Sequence, residues 1–286
     1  MTDPVSPSID KLDVARPASS GALVKRVISA AVLMPVVIAA VHFGGAAFAA
    51  MIAFASIVML FEWSRMVERR AFSNAFYALV IGTSAAMYFA AAGEFDFALA
   101  VACFGALAAG WLARNETGIG VWAAAAAFYI IIPCIALIWL RLYAPSGRAL
   151  TFLLYAVVWA ADTGAFIFGK LIGGPKISYA LSPSKTWAGI GGGVLCGCLL
   201  GAISGVWLFG APAGILYFFI GGALGAASVL GDLFESGIKR YFGLKDISGL
   251  IPGHGGALDR LDGMIFATSA MTAGLLLYML AQRLQG

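Results

Sequence analysis

The sequence has 286 residues, of which 62% are hydrophobic and only 11% are charged. Soluble domains average about 25% charged residues, and one globular core of this size cannot bury so much apolar surface. The composition therefore excludes an ordinary soluble domain and predicts an integral membrane protein. The net charge of +4 is small and the basic residues are dispersed, which argues against nucleic acid as a partner.

The apolar segments predict an all-α, polytopic fold, because a helix needs about 20 largely apolar residues to cross a bilayer. We expect about nine transmembrane helices, at 27–43, 44–61, 75–92, 97–113, 119–140, 149–169, 188–209, 211–231 and 264–282. Residues 1–21 are polar and rich in Pro and Ser, and predict a disordered cytoplasmic tail. Transmembrane helices of an N-terminal part (22–148) and of a C-terminal part (149–286) follow.

The distribution of Lys and Arg predicts a cytoplasmic N-terminus, because cytoplasmic loops carry an excess of basic residues. With nine spans in that orientation, fifteen of the eighteen Lys and Arg residues lie on the cytoplasmic side. The same arrangement places two polar loops, 170–187 and 232–263, on the cytoplasmic face.

Small residues within the spans indicate helix packing. A glycine recurs every fourth residue along the seventh span and predicts a face that another helix approaches closely, at Gly189, Gly193, Gly197, Gly201 and Gly205. The four cysteines lie in apolar stretches and are expected to be packing residues. The segment 164–170 has the glycine and lysine spacing of a phosphate-binding loop, but Leu171 follows it and no strand precedes it, so we reject that interpretation.

Three acidic residues lie within or at the ends of predicted spans, where a charge is costly unless it faces a polar cavity or a partner. Asp162 lies inside the sixth span and predicts a polar cavity that faces the cytoplasm. Asp232 ends the eighth span and begins the most highly charged loop. Glu62 ends the second span beside Trp63 and Arg65, and we interpret it as an ordinary interfacial residue.

The loop 232–263 combines acidic and basic residues with glycines. Carboxylates alone would suggest a hard cation such as Mg²⁺, and Lys and Arg alone would suggest a phosphate. Both together predict a metal ion bound with a polyphosphate. A helix is expected to begin near 257–259, and its N-terminal N–H groups would favour a phosphate or a carboxylate such as that of Asp259. The loop 170–187 adds lysines and small hydroxyls, which suit phosphate or ribose oxygens.

The charged residues of the C-terminal half form a continuous pattern. It comprises Ser236-x-Ile238-Lys239-Arg240, Lys245-Asp246-x-Ser248, Ile251-Pro252-x-His254-Gly255-Gly256 and Asp259-Arg260-Leu261-Asp262. This pattern resembles the signature of the phosphatidate cytidylyltransferases, also called CDP-diacylglycerol synthases. Asp162–Phe166 and Leu181–Trp187 resemble further blocks of that family, so the resemblance covers about residues 155–280. Ala257 and Ala188 depart from the pattern, which has a larger aliphatic residue and a glutamate at these positions.

The resemblance implies that CTP and phosphatidate give CDP-diacylglycerol and pyrophosphate in phospholipid biosynthesis, by Mg²⁺-dependent in-line attack of the lipid phosphate on the α-phosphate. It implies metal ligands at Asp232, Asp259 and Asp262. It implies catalytic roles for Asp232, Lys239, Arg240, Asp259, Arg260 and His254. It implies substrate contacts for Asp162, Ser182, Lys185, Thr186, Ser236, Lys245 and Asp246. A second cation beside Mg²⁺ stays open.

The family also implies a multi-pass protein of the cell inner membrane, in contact with membrane lipid, with its active site facing the cytoplasm; a homodimer is an expectation from the family alone. A related CTP-dependent lipid enzyme, of the CDP-archaeol synthase or polyprenol kinase type, stays open because the lipid tail cannot be read from the sequence. An ion-coupled transporter would show paired inverted halves, whereas the polar residues here concentrate in the C-terminal half. A CDP-alcohol phosphotransferase would continue Asp262-Gly263 differently, since Met-Ile-Phe-Ala follows.

Overall fold

The computed structural model describes residues 20–178, 182–245, 247–248 and 255–285. Within these residues the chain forms ten α-helices and one antiparallel hairpin. The helices are α1 (Ser20–Phe43), α2 (Gly45–Val67), α3 (Asn74–Ala92), α4 (Phe95–Thr117), α5 (Gly120–Ala126), α6 (Ile132–Leu142), α7 (Gly147–Leu171), α8 (Trp187–Phe209), α9 (Gly214–Tyr241) and α10 (Leu258–Gln285). The hairpin strands are β1 (Lys176–Ser178) and β2 (Ser182–Thr186).

Eight helical stretches of the described chain are long and apolar enough to cross a membrane. One of them, Gly120–Leu142, consists of α5, a π-helical segment and α6. The apolar part of α1, Ala31–Phe43, is shorter, so the structure does not confirm the ninth predicted span. Large apolar side chains such as Phe104 and Trp207 lie 73% and 87% exposed on the outer surface, as lipid-facing residues do. The protein is therefore a multi-pass, helical membrane protein.

The core lies where α6 packs against α2, α3, α7 and α10. Leu60, Ile138 and Leu154 are completely buried there. Because α10 contacts both α6 and α2, helices from the N-terminal part of the chain support the C-terminal helix that carries Asp259 and Asp262.

The glycine stripe of α8 packs against two helices, as the sequence predicts. A Cβ atom at Gly193 would lie 2.8 Å from the Ala161 carbonyl oxygen of α7, and one at Gly197 would lie 2.7 Å from the Gly221 carbonyl oxygen of α9. Helix α8 therefore approaches both neighbours at backbone distance. The segment 164–170 is helical within α7, in agreement with our rejection of a phosphate-binding loop.

The predicted extent of both polar loops is wrong. Helix α9 continues to Tyr241 and α10 already begins at Leu258, so the connection is only 242–257. The charged residues at 232–240 and 259–262 are thus helical, because partners in neighbouring turns and helices stabilise their charges within the bundle. The segment 170–187 begins in α7 and then forms the hairpin, in which Lys176 pairs with Thr186 and Ser178 with Ser182. The hairpin is a small β element that the all-α prediction did not include.

Candidate active site

Charged residues of α7, β2, α9 and α10 gather at one end of the helix bundle. Asp162 of α7 lies within electrostatic range of Asp232, Lys185 and Arg260. Asp262 of α10 lies within range of Asp232 and of Glu235. The structure thus brings the two polar segments together with the acid inside α7, as the sequence predicts.

Lys239 forms the centre of the more buried half of this cluster. Its Nζ atom donates to Asp259 Oδ1 at 2.5 Å and lies 3.1 Å from Glu235 Oε1. The Glu235 side chain is completely buried, and the side chains of Lys239 and Asp259 are 13% and 15% exposed. Lys239 therefore neutralises one carboxylate from its own helix, one turn away, and one from α10. Glu235 was not among the predicted site residues, although it lies four residues before Lys239, the spacing at which helix side chains meet.

The more open half of the cluster is the ion pair between Lys185 of β2 and Asp232 of α9. The Asp232 side chain is 47% exposed, so its carboxylate is accessible to solvent and to a substrate, whereas the Lys185 Nζ atom is buried. Two further predicted residues of β2 are buried. The Thr186 hydroxyl oxygen accepts the N–H of Gly189 at 3.1 Å and so caps α8, and Ser182 lies in the hairpin. Substrate contacts by Thr186 and Ser182 stay predictions.

Asp162 has a polar partner, as its position inside a span requires. The Ser228 hydroxyl of α9 donates to Asp162 Oδ1 at 3.1 Å. Ser228 is completely buried and lies one turn before Asp232 on the same helix. The bond therefore joins α7 to α9 directly beside the charged cluster.

Our interpretation of Glu62 as an interfacial residue is wrong. Its side chain is completely buried and accepts hydrogen bonds from Ser248 Oγ and from the N–H groups of Ala257, at 3.0 Å, and Leu258, at 2.7 Å. The N–H of Gly256 donates to Asp259 Oδ2 at 3.1 Å. The sequence predicted that the N-terminus of α10 would bind either a phosphate or a carboxylate, and in the structure carboxylates accept the N–H groups there. The rule that drew attention to Asp162, an acid within an apolar segment, applied equally to Glu62.

Of the remaining predicted site residues, four lie within the described part of the chain. Arg240 and Lys245, at the end of α9 and just after it, and Arg260 at the start of α10 are exposed, and Ser236 of α9 is partly exposed. Two predicted site residues, Asp246 and His254, lie outside the described residues.

The cluster contains the ligand types that a magnesium ion needs, but among the described residues these ligands are not arranged around one ion. Asp232, Asp259 and Asp262 offer carboxylate oxygens, the ligands that Mg²⁺ prefers. Within the described part of the chain, however, no three His, Cys, Asp or Glu side chains are grouped so that they could hold a metal ion. Asp232 and Asp259 are each paired with a lysine instead. The metal-ligand set therefore stays a prediction.

Three membrane-spanning helices and the hairpin thus supply lysines and carboxylates to one cluster, the residue types that bind phosphate oxygens and divalent cations. The model of the cytidylyltransferase family matches residues 24–278. The phosphatidate cytidylyltransferase of Brucella suis biovar 1 (strain 1330) is 34% identical over 250 residues, which cover 86% of this chain and 90% of that protein. That of Staphylococcus saprophyticus subsp. saprophyticus is 42% identical over 127 residues, 44% of this chain and 49% of that protein. The chain belongs to the cytidylyltransferase family and is a nucleotidyltransferase.

Proposed function

We propose that the protein transfers the cytidylyl group of CTP to phosphatidate and forms CDP-diacylglycerol and pyrophosphate. The observation that carries the proposal is the cluster in which Lys185 pairs with Asp232 and Lys239 pairs with Asp259. Three separate elements supply these four residues, and all four lie within about residues 155–280, the part of the chain that the family resemblance covers. Family membership and relatives of nearly full length support the same activity.

The reaction requires charge neutralisation more than proton transfer. A phosphate oxygen of phosphatidate forms a bond to the α-phosphorus of CTP, and the bond from that phosphorus to the bridging oxygen breaks. The electron pair leaves with pyrophosphate. Because the attacking oxygen is already anionic, no strong general base is needed, and positioning and electrostatic stabilisation supply the catalysis. Lys185 and Lys239 would bind phosphate oxygens, and Arg240 and Arg260 would add positive charge at the edge of the cluster.

We further propose that Asp232, Asp259 and Asp262 hold Mg²⁺ together with the triphosphate. When bound, the ion would neutralise charge on the phosphates. In the structure, Lys185 neutralises Asp232 and Lys239 neutralises Asp259. With substrate bound, the same lysines would turn from the carboxylates toward phosphate oxygens, so the net charge of the site would stay balanced.

An apolar cavity beside the cluster offers a place for an acyl chain of phosphatidate. Its volume is about 330 Å³, and aromatic and aliphatic side chains line it, among them Trp63, Trp122, Phe128, Phe234, Ile238 and Ile265. Phe234 and Ile238 lie on α9 directly beside Glu235 and Lys239. The phosphate of the lipid could therefore reach the charged cluster while one of its acyl chains occupies this cavity.

The proposed orientation places the charged cluster on the cytoplasmic side of the cell inner membrane, with α1 as the ninth span. The excess of Lys and Arg at that side supports this orientation, and CTP is a nucleotide of the cytoplasm. A homodimer remains part of the proposal as a family-based expectation.

Incubation of the purified protein with phosphatidate vesicles, CTP labelled in the cytosine ring and Mg²⁺ tests the proposed function. We expect labelled CDP-diacylglycerol in the lipid phase and pyrophosphate in solution. A lipid kinase would instead release labelled CDP into solution and form a phosphorylated lipid without label. If a folded sample yields no labelled lipid, the proposed function is wrong.

A further inference from the structure

We propose that Glu62 is a positioning residue for the reaction, since it holds the N-terminus of α10 and leaves the Asp259 carboxylate available to the site. The inference rests on the proposed role of Asp259. Glu62 lies on α2, nearly 200 residues before α10 in the sequence, and it belongs to none of the segments that resemble the family signature.

Glu62 meets the start of α10 in the manner of a helix cap supplied by another helix. Its Oε1 atom accepts from the N–H of Ala257 at 3.0 Å, and its Oε2 atom accepts from the N–H of Leu258 at 2.7 Å. Ser248 Oγ donates to the same carboxylate, which ties the connection between α9 and α10 to this point. The first N–H groups of a helix have no partner within it and carry partial positive charge, so a carboxylate is a favourable acceptor.

Two carboxylates, those of Glu62 and Asp259, accept the backbone N–H groups at the start of α10. Glu62 accepts the N–H groups of Ala257 and Leu258, while Asp259 Oδ2 accepts that of Gly256, at 3.1 Å. Asp259 Oδ1 is thereby left to bind Lys239. Gly256 permits this arrangement, because a Cβ atom there would lie 2.9 Å from both Glu62 carboxylate oxygens and 3.1 Å from Asp259 Oδ2.

Loss of the Glu62 charge would change what Asp259 binds. In Glu62→Gln one side-chain oxygen still accepts, but the NH2 group that replaces the other oxygen is a donor, so one of the buried N–H groups of Ala257 and Leu258 loses its acceptor, which is unfavourable. Asp259 is the nearest carboxylate on the same turn, so its side chain would shift toward these donors and away from Lys239. A displacement of about 1 Å in a reacting group lowers turnover by about a hundredfold. Glu62 thus acts on the reaction through the placement of Asp259.

The test compares Glu62→Gln and Glu62→Asp with the matched control Glu68→Gln. Glu68 also lies buried, directly after the last residue of α2, and its interaction partners among the described residues are Ser64, Ser73, Arg70 and Glu116. Burial raises the pKa of the Glu68 carboxyl, and glutamine keeps the size and shape of this side chain. Each variant is purified in detergent, its folded fraction is measured by size-exclusion chromatography and thermal unfolding, and kcat and the KM for CTP are determined per folded protein.

We expect Glu62→Gln to lower kcat by about a hundredfold while the KM for CTP changes less than about threefold, because the substrate contacts remain. Glu62→Asp keeps the charge on a shorter side chain that reaches the N–H groups less well, and should recover about a tenth of the wild-type kcat. Glu68→Gln should match the wild type. If Glu62→Gln does not fold, the aspartate variant decides, since a lowered kcat at unchanged KM supports the proposal.

Two results would overturn the inference. One is a wild-type kcat per folded molecule in Glu62→Gln or, where that variant does not fold, in Glu62→Asp, which would make Glu62 purely structural. The other is an equal loss of kcat in Glu68→Gln. A wrong assignment of the active site can be distinguished from a wrong role for Glu62. In the first case Asp259→Asn would stay active, whatever the activity of the Glu62 variants.

Discussion

Lys239 joins two carboxylates in the interior of the site, and Lys239→Met is predicted to destabilise the protein strongly. The substitution leaves Glu235, which is completely buried, and Asp259, which is 15% exposed, without their shared cation. Removing one partner of a buried ion pair lowers the free energy of unfolding by about 3–5 kcal/mol, because the remaining charge stays desolvated. We therefore expect a loss of that size, together with loss of turnover.

Lys185→Met is the matched control for this prediction. Lys185 also pairs with an aspartate of α9, but the Asp232 side chain is 47% exposed, so water can solvate it when the lysine is gone. Pairs of this exposure contribute about 0–1 kcal/mol. Both variants should lose activity, but only Lys239→Met should lose substantial stability.

Denaturant titration in mixed micelles, followed by tryptophan fluorescence, measures both unfolding free energies. The double variant Lys239→Met/Glu235→Gln should recover part of the lost stability, because a neutral amide replaces the unpaired carboxylate. Equal small losses in Lys239→Met and Lys185→Met would show that the cluster around Glu235 is solvated, and would refute the reasoning.

Three further predictions concern the lipid, the metal and the topology. Ala125→Phe should fill part of the apolar cavity and raise the KM for phosphatidate severalfold without changing the KM for CTP. The control Ala100→Phe, at an exposed position of α4, should change neither KM. Equal effects of Ala125→Phe on both KM values would argue against an acyl-chain site. EDTA should abolish turnover and added Mg²⁺ restore it, with little change in melting temperature because lysines already neutralise Asp232 and Asp259, and turnover in EDTA would contradict the metal proposal. A reporter fused after Arg283 should lie outside the cytoplasm, and a cytoplasmic signal would contradict the nine-span arrangement.

The sequence was sufficient for the helical fold and for several of the charged residues that the structure brings together. The length of the apolar segments predicted the membrane spans that the structure shows as α2 to α10. The glycine stripe from Gly189 to Gly205 predicted the close packing of α8. The family pattern selected residues from separate segments that the structure brings together, such as Lys185 with Asp232. The spans and the glycine stripe could be predicted because span length and small-residue spacing act locally along one helix.

The predictions that failed depend on contacts between distant segments. Charge predicted a loop at 232–263, but α9 continues to Tyr241, where residues such as Asp232 and Lys239 have partners on β2 and α10. Glu62 resembled an interfacial acid because its sequence neighbours are Trp63 and Arg65, whereas its partners are the backbone groups of Ala257 and Leu258. Only the packing of α2 against α10 reveals that pairing.

The most direct test of the proposed site is the turnover of Asp259→Asn. Asparagine keeps the shape of the side chain but removes the charge that binds Lys239 and that would bind Mg²⁺. Asp96→Asn, at an exposed position in the first turn of α4, is the matched control. With folded protein, CTP, phosphatidate and Mg²⁺, we predict that Asp259→Asn forms no measurable CDP-diacylglycerol while Asp96→Asn matches the wild type. Near-normal product formation by Asp259→Asn would contradict the assignment of this cluster as the active site.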